Sequence, residues 1–267
     1  NYRNAFKKHD STRYQKFLND VKSGTKKINT VALYPYDLLK IARETNDQTV
    51  EVMWRNLPNY LEKNPHNGLV VADVSGSMLS GMGSVTPIDI SVSLAIYFAE
   101  RIEGKFRNHF ISFSGNPELI EIKGKSLHEK FQNMYKTSWM MNTNIQAVFD
   151  LVLNTAVRNQ LSQAEMPDVI YIVSDMQFDS ANRHAKTNFD VIKEKYTKAK
   201  YRMPKLVFWN VNAQREEVPV TADESNCVLV SGCSPSVFSA LIAKKKVTPE
   251  TFMLETLNSA RYAPIRA

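Results

Sequence analysis

The pattern of hydrophobic and polar positions changes near residue 67. Before that point, apolar residues recur at helical spacing over residues 36–42 and 50–61, and Pro35, Pro58 and Pro65 interrupt the pattern. After it, short continuous apolar runs alternate with segments of helical spacing. We therefore expect a helical, loop-linked start, followed by strands and helices in alternation.

Five apolar runs predict buried strands, at residues 68–74, 109–113, 168–174, 205–211 and 227–230. Continuous apolar runs are typical of strands that are covered on both faces of a parallel sheet. Helical spacing follows at residues 86–102, 144–154 and 185–200, and further helices are expected near 235–243 and 250–260. This alternation indicates an α/β fold: a doubly wound, mostly parallel sheet flanked by helices, of Rossmann-like type, with a short N-terminal helical segment.

The helix after the first strand has the clearest start signal. Thr86 suits the N-cap, Pro87 suits the first turn, and Asp89 supplies a capping-box carboxylate. Apolar residues then recur along one face, namely Ile88, Val92, Ala95, Ile96, Ala99 and Ile102. We expect this helix to turn one apolar stripe to the core.

Composition narrows the class of protein. The chain has 267 residues, of which 43% are hydrophobic, enough for a packed core. No run approaches the ~18 apolar residues of a membrane span, and no signal peptide is seen. Cys227 and Cys233 lack metal-site spacing, which favours reduced cysteines and a cytoplasmic location. Because the chain begins at Asn1 rather than Met, we expect a trimmed fragment.

The charge is concentrated at the start of the chain. The net charge is +7, and residues 1–30 hold eight basic residues against Asp10 and Asp20. The basic residues are Arg3, Lys7, Lys8, Arg13, Lys16, Lys22, Lys26 and Lys27. Such a segment suits either RNA phosphates or a solvated helical arm, and both interpretations stay open.

Oxygen-bearing side chains lie in three loops next to predicted strands and helices. Asp73, Ser75 and Ser77 come directly after the first strand, Thr143 precedes a helix, and Asp175 follows the strand at 168–174. Ligands bind beyond the carboxyl ends of strands in open α/β sheets. Two carboxylates and three hydroxyls at one edge suit Mg²⁺, with Mn²⁺ or Ca²⁺ as alternatives.

Asp73-x-Ser75-x-Ser77, with Thr143 and Asp175 later, resembles the metal-ion-dependent adhesion site of von Willebrand factor A domains. The resemblance implies that Ser75, Ser77 and Thr143 contact the metal directly, and that Asp73 and Asp175 act directly or through water. It implies a von Willebrand A-like domain over residues 67–245. Residues 1–66 then form a helical segment, and residues 246–267 a C-terminal helix and tail.

Residues 142–150, 173–179 and 208–210 look like those of an intracellular family similar in layout to the Ro ribonucleoprotein, which combines TROVE and von Willebrand A regions. In that layout a helical-repeat ring that binds RNA carries a C-terminal A-type domain. The resemblance implies that residues 1–66 end a larger helical region.

Two functions follow. The first is a Mg²⁺-dependent protein-interaction module, whose metal binds an Asp or Glu of a protein partner. The alternative is a Ro-like RNA-binding ribonucleoprotein component that uses the basic N-terminal segment.

An enzyme is not expected. Ser75 lies outside a Gly-x-Ser-x-Gly elbow, and no histidine is predicted beside it. A phosphatase-like aspartyl nucleophile at Asp73 would require a second carboxylate at position 75, where this chain has a serine. Metal-assisted hydrolysis stays open as an alternative, because Mg²⁺ and two aspartates are expected together.

Overall fold

The computed structural model describes residues 2–30, 32–62, 67–79, 85–113, 116–135, 144–175, 185–212 and 227–233, with residues 250, 253–254, 257–258 and 262 near the end. The strands in this part of the chain are β1 (Gly68–Asp73), β2 (His109–Phe113), β3 (Leu119–Glu121), β4 (Val169–Ser174), β5 (Lys205–Asn210) and β6 (Cys227–Ser231). They form one sheet in the order β3-β2-β1-β4-β5-β6. Only β3 runs antiparallel to its neighbour, so the predicted, mostly parallel α/β fold is confirmed.

Helices cover both faces of the sheet. The bounds are α1 (Tyr2–His9), α2 (Ser11–Lys22), α3 (Pro35–Glu44), α4 (Gln48–Arg55), α5 (Pro87–Ala99), α6 (Leu127–Tyr135), α7 (Ile145–Arg158) and α8 (Ala185–Lys198). One apolar layer joins the sheet to α3, α4, α5 and α6, and the layer on the other face joins it to α7 and α8.

Helix α5 differs from the prediction. Its start is as expected, because Thr86 and Asp89 form a reciprocal capping box. The expected single apolar stripe is wrong, since every residue of α5 is buried. One side of α5 packs on β1 and another packs against apolar residues of α3, so the helix is covered on its second side by an earlier segment of the chain.

Further differences concern short elements. Helix α4 ends at Arg55, before Pro58, whereas helical spacing continued to residue 61. Strand β3 and helix α6 were not predicted. The helix expected near 235–243 lies outside the described residues, and most of the one expected at 250–260 does too.

Two further expectations were that the cysteines are reduced and that the chain has no membrane span. Cys227 and Cys233 are both free thiols. In the part of the chain with described coordinates, no helix has the length and apolar character needed to cross a membrane.

Candidate metal centre

Two carboxylates lie at the carboxyl ends of neighbouring strands. β1 pairs in parallel with β4, with Ala72 opposite Val173, so Asp73 at the end of β1 lies beside Ser174 and Asp175. Asp73 is 0% exposed and Asp175 is 1% exposed. Burial of a carboxylate is costly unless charge or hydrogen bonds compensate it. The structure therefore brings together two of the predicted site residues in an environment that disfavours bare negative charge.

Hydrogen bonds hold the carboxylate of Asp73 in place. Ser174 donates its hydroxyl to Oδ2 at 2.5 Å, and the backbone N–H of Ser75 donates to Oδ1 at 2.9 Å. Both oxygens of Asp73 are thus engaged by the protein. This carboxylate is fixed in orientation by its own strand end and by the neighbouring strand.

The pKa of Asp73 reflects this environment. Burial raises the pKa of the carboxyl above its ordinary value, and the charge of Asp175 adds to the rise. The hydrogen bonds from Ser174 and Ser75 act in the opposite direction. A cation placed beside the two carboxylates would favour their ionised forms.

Two hydroxyls stand next to these carboxylates. The Oγ atoms of Ser75 and Ser77 are 3.1 Å apart, and both residues are half-buried. Ser77 belongs to a short 3-10 helix, Gly76–Leu79, that begins as the chain leaves β1. Within it, Met78 is buried in the core while Leu79 is 61% exposed. Met78 therefore anchors the turn that positions Ser77.

The second carboxylate retains acceptor capacity. Among the described residues, no donor reaches the buried Oδ2 atom of Asp175, although the residue makes other contacts. A buried carboxylate oxygen with spare acceptor capacity is chemically suited to a cation.

The remaining predicted ligand, Thr143, lies outside the described residues. Its neighbour Asn144 is the N-cap of α7, where its side chain accepts a hydrogen bond from the N–H of Ala147 at 3.0 Å. Within the described ranges, no group of three or more His, Cys, Asp or Glu side chains is placed to hold a metal ion. A metal centre here would depend on serine hydroxyls together with Asp73 and Asp175.

One site residue was missed by the sequence reasoning. Ser174, the last residue of the strand predicted at 168–174, is not among the predicted site residues, yet it is fully buried and bonds directly to Asp73. The available signal was its position as the last residue of an otherwise apolar strand. Two histidines lie elsewhere, because His128 bonds to the carbonyl of Ala42 and His109 to that of Arg107.

Comparisons with known proteins match both parts of the chain. A family model described as a domain of unknown function (DUF7788) matches residues 67–261, and a second one (DUF2828) matches residues 1–66. An uncharacterised protein of Acanthamoeba polyphaga mimivirus is 29% identical over 260 residues, which is 95% of this chain and 45% of the relative.

A solved structure is similar as well. The crystal structure of the Ro (RSR) protein of Deinococcus radiodurans matches with a TM-score of 0.56 and 15% identity, over 88% of this chain and 48% of that one. At this identity the match concerns the fold alone, which is an α/β fold of von Willebrand factor A type. The chain spans about half the length of each of these two proteins.

Proposed function

Because this chain belongs to the family of domains of unknown function DUF7788, we propose its function from its own site. The edge formed by β1 and β4 binds Mg²⁺ in the manner of a metal-ion-dependent adhesion site, and the bound ion captures an acidic group of a protein partner. The observation that carries the proposal is the pair of serine hydroxyls, 3.1 Å apart, beside two buried carboxylates on adjacent strands.

The donor set fits a hard cation. Mg²⁺ prefers oxygen ligands, keeps several waters and needs few carboxylates. Ser75 and Ser77 would bind it through Oγ, and Asp175 would bind it directly or through water. Asp73 has both oxygens hydrogen-bonded, which favours a role in holding Ser75 and bound water in place. Thr143 stays a predicted ligand.

A site with two carboxylates leaves the ion able to attract a third. An incoming Asp or Glu side chain would supply negative charge and an oxygen ligand together. The exposed side chain of Leu79 ends the turn that bears Ser77, so a partner that reaches the metal would also meet an apolar contact.

Calorimetric titration tests the metal. Mg²⁺ and Mn²⁺ are titrated separately into the wild type, into Ser75→Ala/Ser77→Ala and into Ser93→Ala. Ser93 is the matched control, since it is a fully buried serine whose hydroxyl bonds to a carbonyl of its own helix. We expect saturable binding by the wild type and by Ser93→Ala, and its loss in the double variant, with circular dichroism unchanged in all three. Unchanged binding by the double variant, or none by the folded wild type, would overturn the metal site.

A second measurement tests the acidic ligand. Bound Mn²⁺ with open coordination positions enhances the relaxation of water protons. Acetate should reduce that enhancement by displacing water, whereas acetamide, which lacks the carboxylate charge, should reduce it far less. Equal effects of the two would show that the ion does not select a carboxylate.

The RNA alternative rests on a weaker observation. Lys8, Lys16 and Lys22 are exposed on α1 and α2, as phosphate contacts require. However, ion pairs neutralise three other cations of the segment: Lys7 with Asp47, Arg13 with Asp10, and Lys26 with Asp20. The N-terminal segment therefore offers fewer cations to RNA than its sequence suggests.

Hydrolysis is also the weaker proposal. Metal-assisted hydrolysis would need a base near the ion. Of the two histidines with described contacts, His109 lies at the amino end of β2, and His128 bonds to a backbone carbonyl of α3. We therefore favour binding over catalysis.

A further inference from the structure

The edge of the sheet opposite the metal centre carries a second charged surface. Three connections, counted with the adjoining ends of α7 and β5, approach the amino ends of the strands there: residues 101–108 before β2, residues 158–168 from the end of α7 to β4, and residues 199–205 up to the first residue of β5. Together they hold seven basic and three acidic residues, a net charge of +4. We propose that this surface, called the amino edge below, binds the phosphate backbone of a nucleic acid.

Backbone and side-chain hydrogen bonds make the amino edge one continuous structure. Asn67 pairs with Glu103, and its side chain donates to the carbonyl of Ala164 at 2.5 Å. The N–H of Asp168 donates to the carbonyl of Asn67 at 2.7 Å, and that of Lys205 donates to the carbonyl of Asp168 at 2.8 Å. A surface linked in this way presents its charges in fixed relative positions, which lowers the ordering cost of binding.

The connections before β2 and β5 both contact the connection before β4. The N–H of Arg202 donates to the side chain of Gln163 at 2.6 Å, and the hydroxyl of Tyr201 donates to the carbonyl of Leu161 at 2.6 Å. On the other side, Lys105 lies 3.7 Å from Glu165. The three connections are thus neighbours in space, and their charges form one surface.

The cations on this surface are available. Lys105, Arg107 and Arg202 are exposed, and of the described carboxylates only Glu165 pairs with any of the three, at the long distance just given. Glu165 is itself held by Ser162, whose N–H and hydroxyl both donate to it. Arg101 does not contribute, because its guanidinium lies over the ring of Tyr97.

Helix ends explain only part of the charge. Helices α7 and α8 end at this edge, and basic residues there offset the partial negative charge of the helix C-termini. Arg158 and Lys200 fall within that explanation. Lys105, Arg107 and Arg202 lie outside the last turns of these helices, so the charge of the helix ends does not account for them.

The dimensions suit a nucleic acid. β2 and β5 are three strand positions apart, which corresponds to about 14 Å across the sheet. A duplex carries one phosphate per about 1.7 Å of its axis, so this width meets several phosphates. The metal centre, with its buried carboxylates, occupies the opposite edge, and the two surfaces can be used at the same time.

The experiment measures binding of a fluorescent RNA duplex of mixed sequence over a series of NaCl concentrations, without divalent cations, so that the metal centre plays no part. The full chain carries Lys105→Gln, Arg107→Gln and Arg202→Gln in one variant. The control carries Lys8→Gln, Lys16→Gln and Lys22→Gln, which removes the same charge from the N-terminal helices. Thermal melting verifies that both variants fold.

We expect the amino-edge variant to lose about tenfold or more in affinity, with the slope of log affinity against log salt lower by about 2–3. The control should stay close to the wild type. Equal losses in both variants would show a dependence on net charge alone, and a larger loss in the control would move the interface to the N-terminal helices. Either result overturns the proposal. So would binding to phosphatidylserine vesicles without binding to RNA, which would point to a membrane surface.

Discussion

Arg43 of α3 forms an ion pair with Asp89, the carboxylate that also caps the first turn of α5. Asp89 accepts hydrogen bonds from the N–H and the hydroxyl of Thr86 as well. The pair links the N-terminal helices to the helix that follows the turn bearing Ser77. The boundary between the two matched family models, at residue 67, is therefore not a boundary in packing.

Arg43→Met should lower the free energy of unfolding by about 1–2 kcal/mol. Removal of one partner leaves the carboxylate of Asp89, only 5% exposed, without its cation. Breaking a fully buried pair costs about 3–5 kcal/mol, but the Arg43 side chain is 42% exposed and the cost is correspondingly smaller. Urea denaturation measures the change.

The matched control is Arg55→Met. Arg55 pairs with Glu51 through a side chain that is 64% exposed, so its loss should cost about 0–1 kcal/mol. If the two variants lose the same amount of stability, the ion pair between α3 and α5 contributes no more to the free energy of unfolding than an exposed pair does.

The apolar contact between α3 and α5 should be worth more than the ion pair. Leu39 of α3 is 0% exposed in the same apolar layer as α5, and Leu39→Ala should cost about 2–5 kcal/mol. Leu79→Ala shortens the same kind of side chain at an exposed position and should change stability by less than about 0.5 kcal/mol. Thermal or urea denaturation of both variants separates the two cases, and a mild effect at Leu39 would indicate that α3 packs loosely.

The sequence predicted five of the six described strands, because each of the five carries an apolar run that can be recognised without knowing its neighbours. The same local reasoning failed for α5, since what covers its second face is α3, which lies some forty residues earlier in the chain. Strand β3 has only three residues, too few for a periodic signal.

The candidate site shows the same limit. Asp73, Ser75 and Ser77 form a local motif that can be recognised in sequence, and the structure places Asp175 at the end of the strand next to that of Asp73. Ser174 could not be assigned, because its bond to Asp73 joins residues 101 positions apart. Whether Thr143 joins the site stays a prediction.

Gly104 should be one of the least replaceable residues of the amino edge. Its φ of +88° disfavours any other residue, and a Cβ there would lie 2.4 Å from Oδ1 of Asn67. Gly104→Ala should therefore cost about 2–4 kcal/mol, by backbone strain and by displacement of Asn67. Gly24 has a φ of +78° with open space around it, so Gly24→Ala should cost only about 1–2 kcal/mol. Equal losses of stability in the two variants would show that the side chain of Asn67 moves aside at no cost.

Asp73 should give the domain a pH dependence that divalent cations reduce. Burial raises the pKa of its carboxyl above the ordinary value of 3.8, so the folded state holds this proton more tightly than the unfolded state. Its contribution to stability is then present below that ordinary value and is lost as the pH rises through the folded pKa. Without divalent cations, the stability of the wild type relative to Asp73→Asn should fall over this range. With Mg²⁺ the fall should be smaller, because a bound cation favours the ionised carboxylate.

Urea denaturation over a pH series, with and without Mg²⁺, measures this difference. Asp190→Asn serves as the control, since Asp190 is an exposed carboxylate on α8. A relative stability of the wild type that rises with pH in the absence of cations would contradict the direction of the Asp73 shift. A fall of the same size in both solutions would confirm that direction and show that no Mg²⁺ binds close to Asp73, because a nearby cation would make ionisation of this buried carboxylate less costly.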